Sequence, residues 1–166
     1  FSGGAVEMPD GRHLLMYTGV RNVRRANGKI ESFQTQCIAI GDGVNYVKYE
    51  GNPVISGEDV PMGGSVHDFR DPHIWRENDK YYVVVGNRSA DKSGTILLYE
   101  SDDAIHWNFV SKVASCHNQY GKMWECPDFF PLDGKHVLLT SPQEMQSIGL
   151  EFHPGNANIC IIGTFN

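Results

Sequence analysis

A chain of 166 residues, 40% hydrophobic and 20% charged, has enough apolar surface for one or two modest cores and shows no sign of wholesale disorder. Its net charge of -6 argues against nucleic acid or an anionic membrane as the main partner, since both need a basic surface. No apolar run approaches the roughly 20 residues that cross a bilayer as a helix. The four cysteines, Cys37, Cys116, Cys126 and Cys160, lack CxxC spacing and matching histidines, which argues against a structural zinc. Free thiols fit a reducing compartment, so cytoplasmic residence is the expectation. The sequence starts at Phe1 without an initiator Met and reads as a piece of a longer protein, so the lack of a signal peptide says nothing about export.

In chain order, most segments read as short strands. Leu14 to Thr18, Gln36 to Ile40, Tyr81 to Val85, Thr95 to Tyr99, Val137 to Thr140 and Ile159 to Ile162 are rich in apolar, β-branched or aromatic residues. Between them lie the turn signals Pro9-Asp10-Gly11, Gly41-Asp42-Gly43, Glu77-Asn78-Asp79, Ser101-Asp102-Asp103 and Leu132-Asp133-Gly134. The basic cluster Arg21, Arg24 and Arg25 reads as a solvated loop. No window shows a sustained helical period, so the chain is all-β, built of short antiparallel strands.

Weak repeats organise these strands. A shift of 68 (69 minus 1) lays Phe69-Arg70-Asp71-Pro72 on Phe1-Ser2-Gly3-Gly4, and a shift of 55 (124 minus 69) lays Trp124-Glu125-Cys126-Pro127 on Phe69 to Pro72. A second series, at a shift of 61 (103 minus 42), matches Asp42-Gly43-Val44-Asn45-Tyr46 to Asp103-Ala104-Ile105-His106-Trp107. Each unit then holds two hairpins, about four strands, which suggests blades of a β-propeller around a central channel. The innermost strand of a blade borders the channel, so Ser2, Arg70 and Glu125, with Asp71 beside them, converge on the axis. The competing reading makes the charged members a buried ion network that ties blades together.

These blocks resemble signature motifs of glycoside hydrolase family 32, the family of invertases, sucrose-6-phosphate hydrolases, levanases and inulinases. The resemblance rests on Phe1-Ser2-Gly3-Gly4-Ala5-Val6, Phe69-Arg70-Asp71-Pro72 and Trp124-Glu125-Cys126-Pro127-Asp128-Phe129-Phe130. It extends to Leu15-Met16-Tyr17-Thr18-Gly19, Tyr49 to Ile55, Leu98 to Trp107 and Leu139 to Gln143. It implies a five-bladed β-propeller, usually followed by a β-sandwich. Residues 1–166 would then hold roughly the second and third blades and the start of the fourth, without the N-terminal blade or the sandwich.

By the same resemblance, Glu125 is the general acid/base, Asp71 the transition-state stabiliser that holds fructosyl hydroxyls, and Arg70 its motif neighbour and a substrate-binding candidate, whose guanidinium is expected either to keep Asp71 ionised and oriented or to form a blade-to-blade salt bridge. Ser2 and Phe1 match a block lining the sugar pocket. The sequence departs from the family in lacking the Asn-Asp-Pro-Asn-Gly-type motif that carries the nucleophile, so the nucleophile is expected outside this chain. Splitting a glycosidic bond needs an acid for the leaving oxygen and a carboxylate facing the same sugar; from the residues alone, Asp71 and Glu125 would be that pair.

Trp124 is expected to form a wall of the pocket, and Trp124 with Cys126 to lower the polarity around Glu125. Trp107 and Tyr46, at one repeat position, read as packing residues, and Asn87 and Arg88 as a solvated loop. Asp128 fits either a sugar contact or a structural carboxylate. The implied activity is hydrolysis of β-fructofuranosyl bonds in sucrose, sucrose 6-phosphate or fructan, with no cofactor and no metal. An arabinan-type propeller glycosidase and a non-catalytic carbohydrate-binding module are the alternatives. Uncovered blade edges invite self-association.

Overall fold

The computed structural model describes residues 2–165. Eleven strands form three antiparallel sheets: β1 (Gly3–Glu7), β2 (His13–Arg24), β3 (Ile30–Gly41) and β4 (Tyr46–Lys48); β5 (Gly64–Glu77), β6 (Lys80–Ser89), β7 (Gly94–Ser101) and β8 (Asn108–Ser115); and β9 (Met123–Leu132), β10 (Lys135–Gln143) and β11 (Ile159–Gly163). Strands follow chain order within every sheet, so each sheet is a meander. The six runs expected from the sequence all lie inside strands. The third sheet has three strands where a full repeat would have four.

The chemistry of the turns fits the hairpins. Asn78 and Asp79, with φ of 49° and 64°, and Asp133 and Gly134, with φ of 47° and 73°, put two successive residues in the left-handed region, as two-residue hairpins need. In the second repeat series, Asp42 Oδ1 accepts from the N–H groups of Val44 and Asn45, and Asp103 Oδ1 from those of Ile105 and His106. The aromatic ends of that series part company. Trp107 packs into the core, but Tyr46 is 37% exposed and reaches His13 with its hydroxyl, which corrects its expected packing role.

Two cores lie between the three sheets. The first joins Leu14, Met16 and Ile38 of the first sheet to Phe69, Val83, Val85, Leu97 and Tyr99 of the second. The other joins Val84, Ile96 and Leu98 of the second sheet to Trp124, Phe129 and Leu138 of the third. The middle sheet is thus covered on both faces, which is why β6 and β7 read as unbroken apolar runs, whereas β2 begins by alternating buried and half-buried residues. Among the first strands of the sheets, β5 packs against both β1 and β9, so the sheets radiate from a common inner edge. This is the blade arrangement of a β-propeller, with the ring not closed within these residues.

The β2–β3 hairpin stays paired out to Arg24 and Ile30, so Arg21 and Arg24 lie in a strand and not in the expected loop. Arg25 pairs with Glu31, and the guanidiniums of Arg21 and Arg25 lie over Phe33.

Close approach between sheets makes Gly86 obligatory. A Cβ on Gly86 would sit 2.2 Å from the Trp124 carbonyl oxygen, a backbone atom of the next sheet that cannot rotate away, whereas Gly134 has open space and only its positive φ to defend. Gly86→Ala is expected to lower the unfolding free energy by about 3 kcal/mol, and Gly134→Ala by about 1 kcal/mol. Urea denaturation of both variants checks this; equal losses would contradict the tight approach of the two sheets.

Candidate active site

The two charged motifs share a backbone device. Between Arg70 and His73, β5 advances three residues against two in β6, from Gly86 to Val84; β9 likewise advances three from Glu125 to Asp128, against two in β10. Each strand therefore carries a β-bulge. Asp71 (φ 62°) and Cys126 (φ 46°) occupy matched repeat positions, each in a left-handed conformation just before a proline. Such backbone is costly for non-glycine residues and recurs at functional sites. The matching segment of β1 pairs regularly and has Gly4 where the others have proline.

Ahead of the bulges, Phe69 and Trp124 point into the two cores, and the next residues, Arg70 and Glu125, turn to the inner side, where they meet. Arg70 Nε donates to Glu125 Oε1 at 2.8 Å. Its other donors reach Gln34 Oε1 and Asp68 Oδ1 through Nη1, and Gln143 Oε1 through Nη2, each at 3.2 Å, so its carboxylate partners are Glu125 and Asp68 and not the expected Asp71. The second oxygen of Glu125 accepts from Gln143 Nε2 at 2.6 Å. Burial works against the Arg70 charge, but the carboxylates of Glu125 and Asp68 hold its pKa above the ordinary guanidinium value.

Asp71 is 5% exposed and held from two sides. Its backbone N–H donates to Thr18 Oγ1, which donates in turn to Gln36, and Gln36 Nε2 donates to the Phe69 carbonyl. Asp71 Oδ2 accepts from the Cys126 N–H at 3.0 Å and from its thiol at 3.5 Å. Ser2 Oγ lies 3.6 Å from the same sulfur. Burial pushes the Cys126 thiol up in pKa, opposed by Ser2 and reinforced by Asp71. The thiol's contacts are thus with Asp71 and Ser2, and the polar groups bonded to Glu125 are Arg70 and Gln143, so the expected low-polarity setting of Glu125 gives way to a hydrogen-bonded one.

Ser2, Arg70, Asp71 and Glu125 are therefore brought together; Phe1 lies outside the described residues. Trp124 corrects the expectation of a pocket wall. It is 1% exposed, packs with Val84, Ile96 and Phe129, and donates from Nε1 to the Tyr120 carbonyl. Asn87 and Arg88 also depart from expectation, because both lie in β6. Asn87 is fully buried and donates to the Ser65 and Asp68 carbonyls, filling the gap in β5–β6 pairing between Gly64 and Phe69. Arg88 lies 3.5 Å from Asp68. Asp128 pairs with His73 at 3.1 Å, and burial lowers the His73 pKa despite that carboxylate. The sequence reading missed Thr18, Gln34, Gln36, Asp68 and Gln143. All four cysteines are free, and among the described residues no buried side-chain nitrogen or oxygen lacks a hydrogen-bond partner.

A nearly all-β chain, with one 3-10 turn at Gly57–Asp59 and sheets that radiate from an inner edge carrying a carboxylate–guanidinium cluster, is part of a β-propeller. The sequence model described as Glycosyl hydrolases family 32 N-terminal domain matches residues 1–166, and the chain belongs to that family. It is 35% identical over 156 residues to a sucrose-6-phosphate hydrolase of Bacillus subtilis, covering 92% of this chain and 30% of that protein. The structure of a family 32 beta-fructofuranosidase from Bombyx mori aligns with a TM-score of 0.88 and 41% identity, over 100% of this chain and 34% of that one. A mutant of the same enzyme in complex with sucrose aligns at 0.85, with 39% identity, over 98% of this chain and 34% of that one. The chain thus spans about a third of the length of the relatives it matches.

Removing the central cation should cost more than removing a neutral partner. Arg70→Met leaves Asp68 and Glu125 half-buried without their guanidinium and is expected to destabilise the protein by about 3 kcal/mol, against about 1 kcal/mol for Gln34→Leu. Urea denaturation at neutral pH compares the two, and a smaller loss for Arg70→Met would rule out Arg70 as the pin between sheets.

Proposed function

We propose that this chain is part of the catalytic propeller of a β-fructofuranosidase that hydrolyses sucrose, sucrose 6-phosphate or a fructan with retention. The observation that carries the reading is the meeting of Glu125, Arg70 and Asp71 on neighbouring inner strands of a family 32 chain. In this reading Glu125 protonates the departing glycosidic oxygen while a carboxylate attacks the anomeric carbon, and Glu125 then takes a proton from the water that releases the fructosyl group. Asp71, its carboxylate held by the Cys126 N–H, offers its other oxygen to sugar hydroxyls. Ser2 lines the pocket beside it, and Arg70 serves the acid/base more than the sugar, because four of its five N–H donors are already occupied.

The nucleophile is assigned to a segment outside these 166 residues, since no Asn-Asp-Pro-Asn-Gly-type motif occurs here. The three sheets are assigned to the second, third and fourth blades of five. The four free thiols support residence in a reducing compartment.

Sucrose hydrolysis by the complete protein tests the reading. Glu125→Gln is expected to lower kcat on the order of 100- to 10,000-fold, and the 166-residue chain alone to be inactive; activity in that chain would assign the attack to Asp71 or another residue present here.

The exposed edge supports self-association of the isolated chain. β11 pairs only with β10 among the described residues, and Ile161 and Ile162 are exposed on it. Sedimentation of the 166-residue chain should give species heavier than a monomer at micromolar concentration; a monomer that melts cooperatively would refute this.

A further inference from the structure

The amide of Gln143 faces two groups of opposite hydrogen-bonding character. Arg70 Nη2, which can only donate, lies 3.2 Å from one side, and Glu125 Oε2 lies 2.6 Å from the other. A guanidinium has no acceptor, so the amide oxygen must face Arg70 and the NH2 group is left to donate to Glu125. The orientation is thus fixed by chemistry, and Arg70, Glu125 and Gln143 close a ring of three hydrogen bonds.

The ring is set on rigid backbone. Gln143 closes β10 opposite Met123, its carbonyl accepts from the Lys122 N–H at 2.8 Å, and Glu125 is cross-strand from Ser141. Thr140 Oγ1 also donates to the Glu125 carbonyl at 2.8 Å.

A carboxyl group that shuttles a proton must offer one lone pair in a defined direction. A free glutamate rotates about its terminal torsion over a broad range. Here Arg70 Nε occupies one lone pair of Oε1 and Gln143 Nε2 one lone pair of Oε2, which locks the carboxyl plane from both ends and leaves one lone pair on each oxygen. Arg70 alone would leave the group free to pivot about the Oε1 contact.

We propose that Gln143 is a positioning residue for proton transfer by Glu125, acting with Arg70 to hold the carboxyl plane toward the leaving oxygen. This rests on the fructosidase reading above. Misplacement of a reacting group by about 1 Å can cost on the order of 100-fold in rate, so the role has a measurable size although Gln143 need not touch substrate.

The test compares kcat/KM of the complete protein on sucrose, whose leaving group needs a proton, and on p-nitrophenyl β-fructofuranoside, whose phenolate leaves with little help. Because kcat/KM reports events only through departure of the leaving group, it isolates the acid step. Gln143→Met, which keeps length and removes both amide atoms, should lower kcat/KM on sucrose about 10- to 100-fold and on the aryl fructoside less than about threefold. Gln143→Asn, which keeps the amide on a shorter side chain, should show the same selectivity to a smaller degree and serves if the Met variant does not fold.

Equal losses on both substrates, or none on either, would overturn the assignment. The wild type and Glu125→Gln run alongside separate the two levels. A wild type inactive on both fructosides and also on sucrose 6-phosphate and fructan removes the fructosidase reading and this inference with it. A Glu125→Gln variant that shows the leaving-group selectivity while the Gln143 variants do not removes only this inference.

Discussion

The guanidinium of Arg70 is bonded to side chains from all three sheets: Gln34 from the first, Asp68 from its own, and Glu125 and Gln143 from the third. A nearly buried cation of this kind is tolerated only when its donors are matched and its charge is countered. Every sheet supplies part of that match, so the position of each relative to the others is written into one side chain. The ion network tying blades together is present, and it leaves room for the proposed catalytic role of Glu125. The same contacts that join the sheets also orient Glu125.

What aims these side chains is the paired bulge at Asp71 and Cys126. In an unbroken strand successive side chains alternate between faces. One extra residue at each site lets a core aromatic, an inward charge and a second inward group follow one another, as in Phe69-Arg70-Asp71 and Trp124-Glu125-Cys126. The proline after each bulge has no N–H to contribute to a ladder that is already broken there. The repeat seen in the sequence is therefore a repeat of backbone geometry as well as of residue type, and the regular pairing of β1 agrees with its lack of the proline.

Much of this was legible in the linear sequence. The strands are marked by β-branched and aromatic runs between turn residues, and the shift of 55 (124 minus 69) relates the positions of the two bulges. The same shift pairs Trp124 with Phe69, and both are core residues. The neutral polar residues were harder. Glutamine carries no sign of whether it meets solvent or a buried cation, yet phase offered a clue. Thr18 continues the buried series Leu14, Met16; Gln34 and Gln36 lead into Ile38; Asn87 continues Val83, Val85. Polar residues in phase with a buried face must find partners inside. Gln143 had no such signal, because it stands out of phase with the buried series Leu138, Thr140 and Pro142 of β10.

The middle sheet has a further consequence. Val83 and Val84 are consecutive in β6 yet belong to different cores, one shared with the first sheet and one with the third. Neither core can loosen without disturbing a strand that forms a wall of the other. The three sheets are therefore coupled through a single backbone, and loss of packing on one side is transmitted to the far side without any long-range contact. Modular in sequence, the repeats are cooperative in their mechanics.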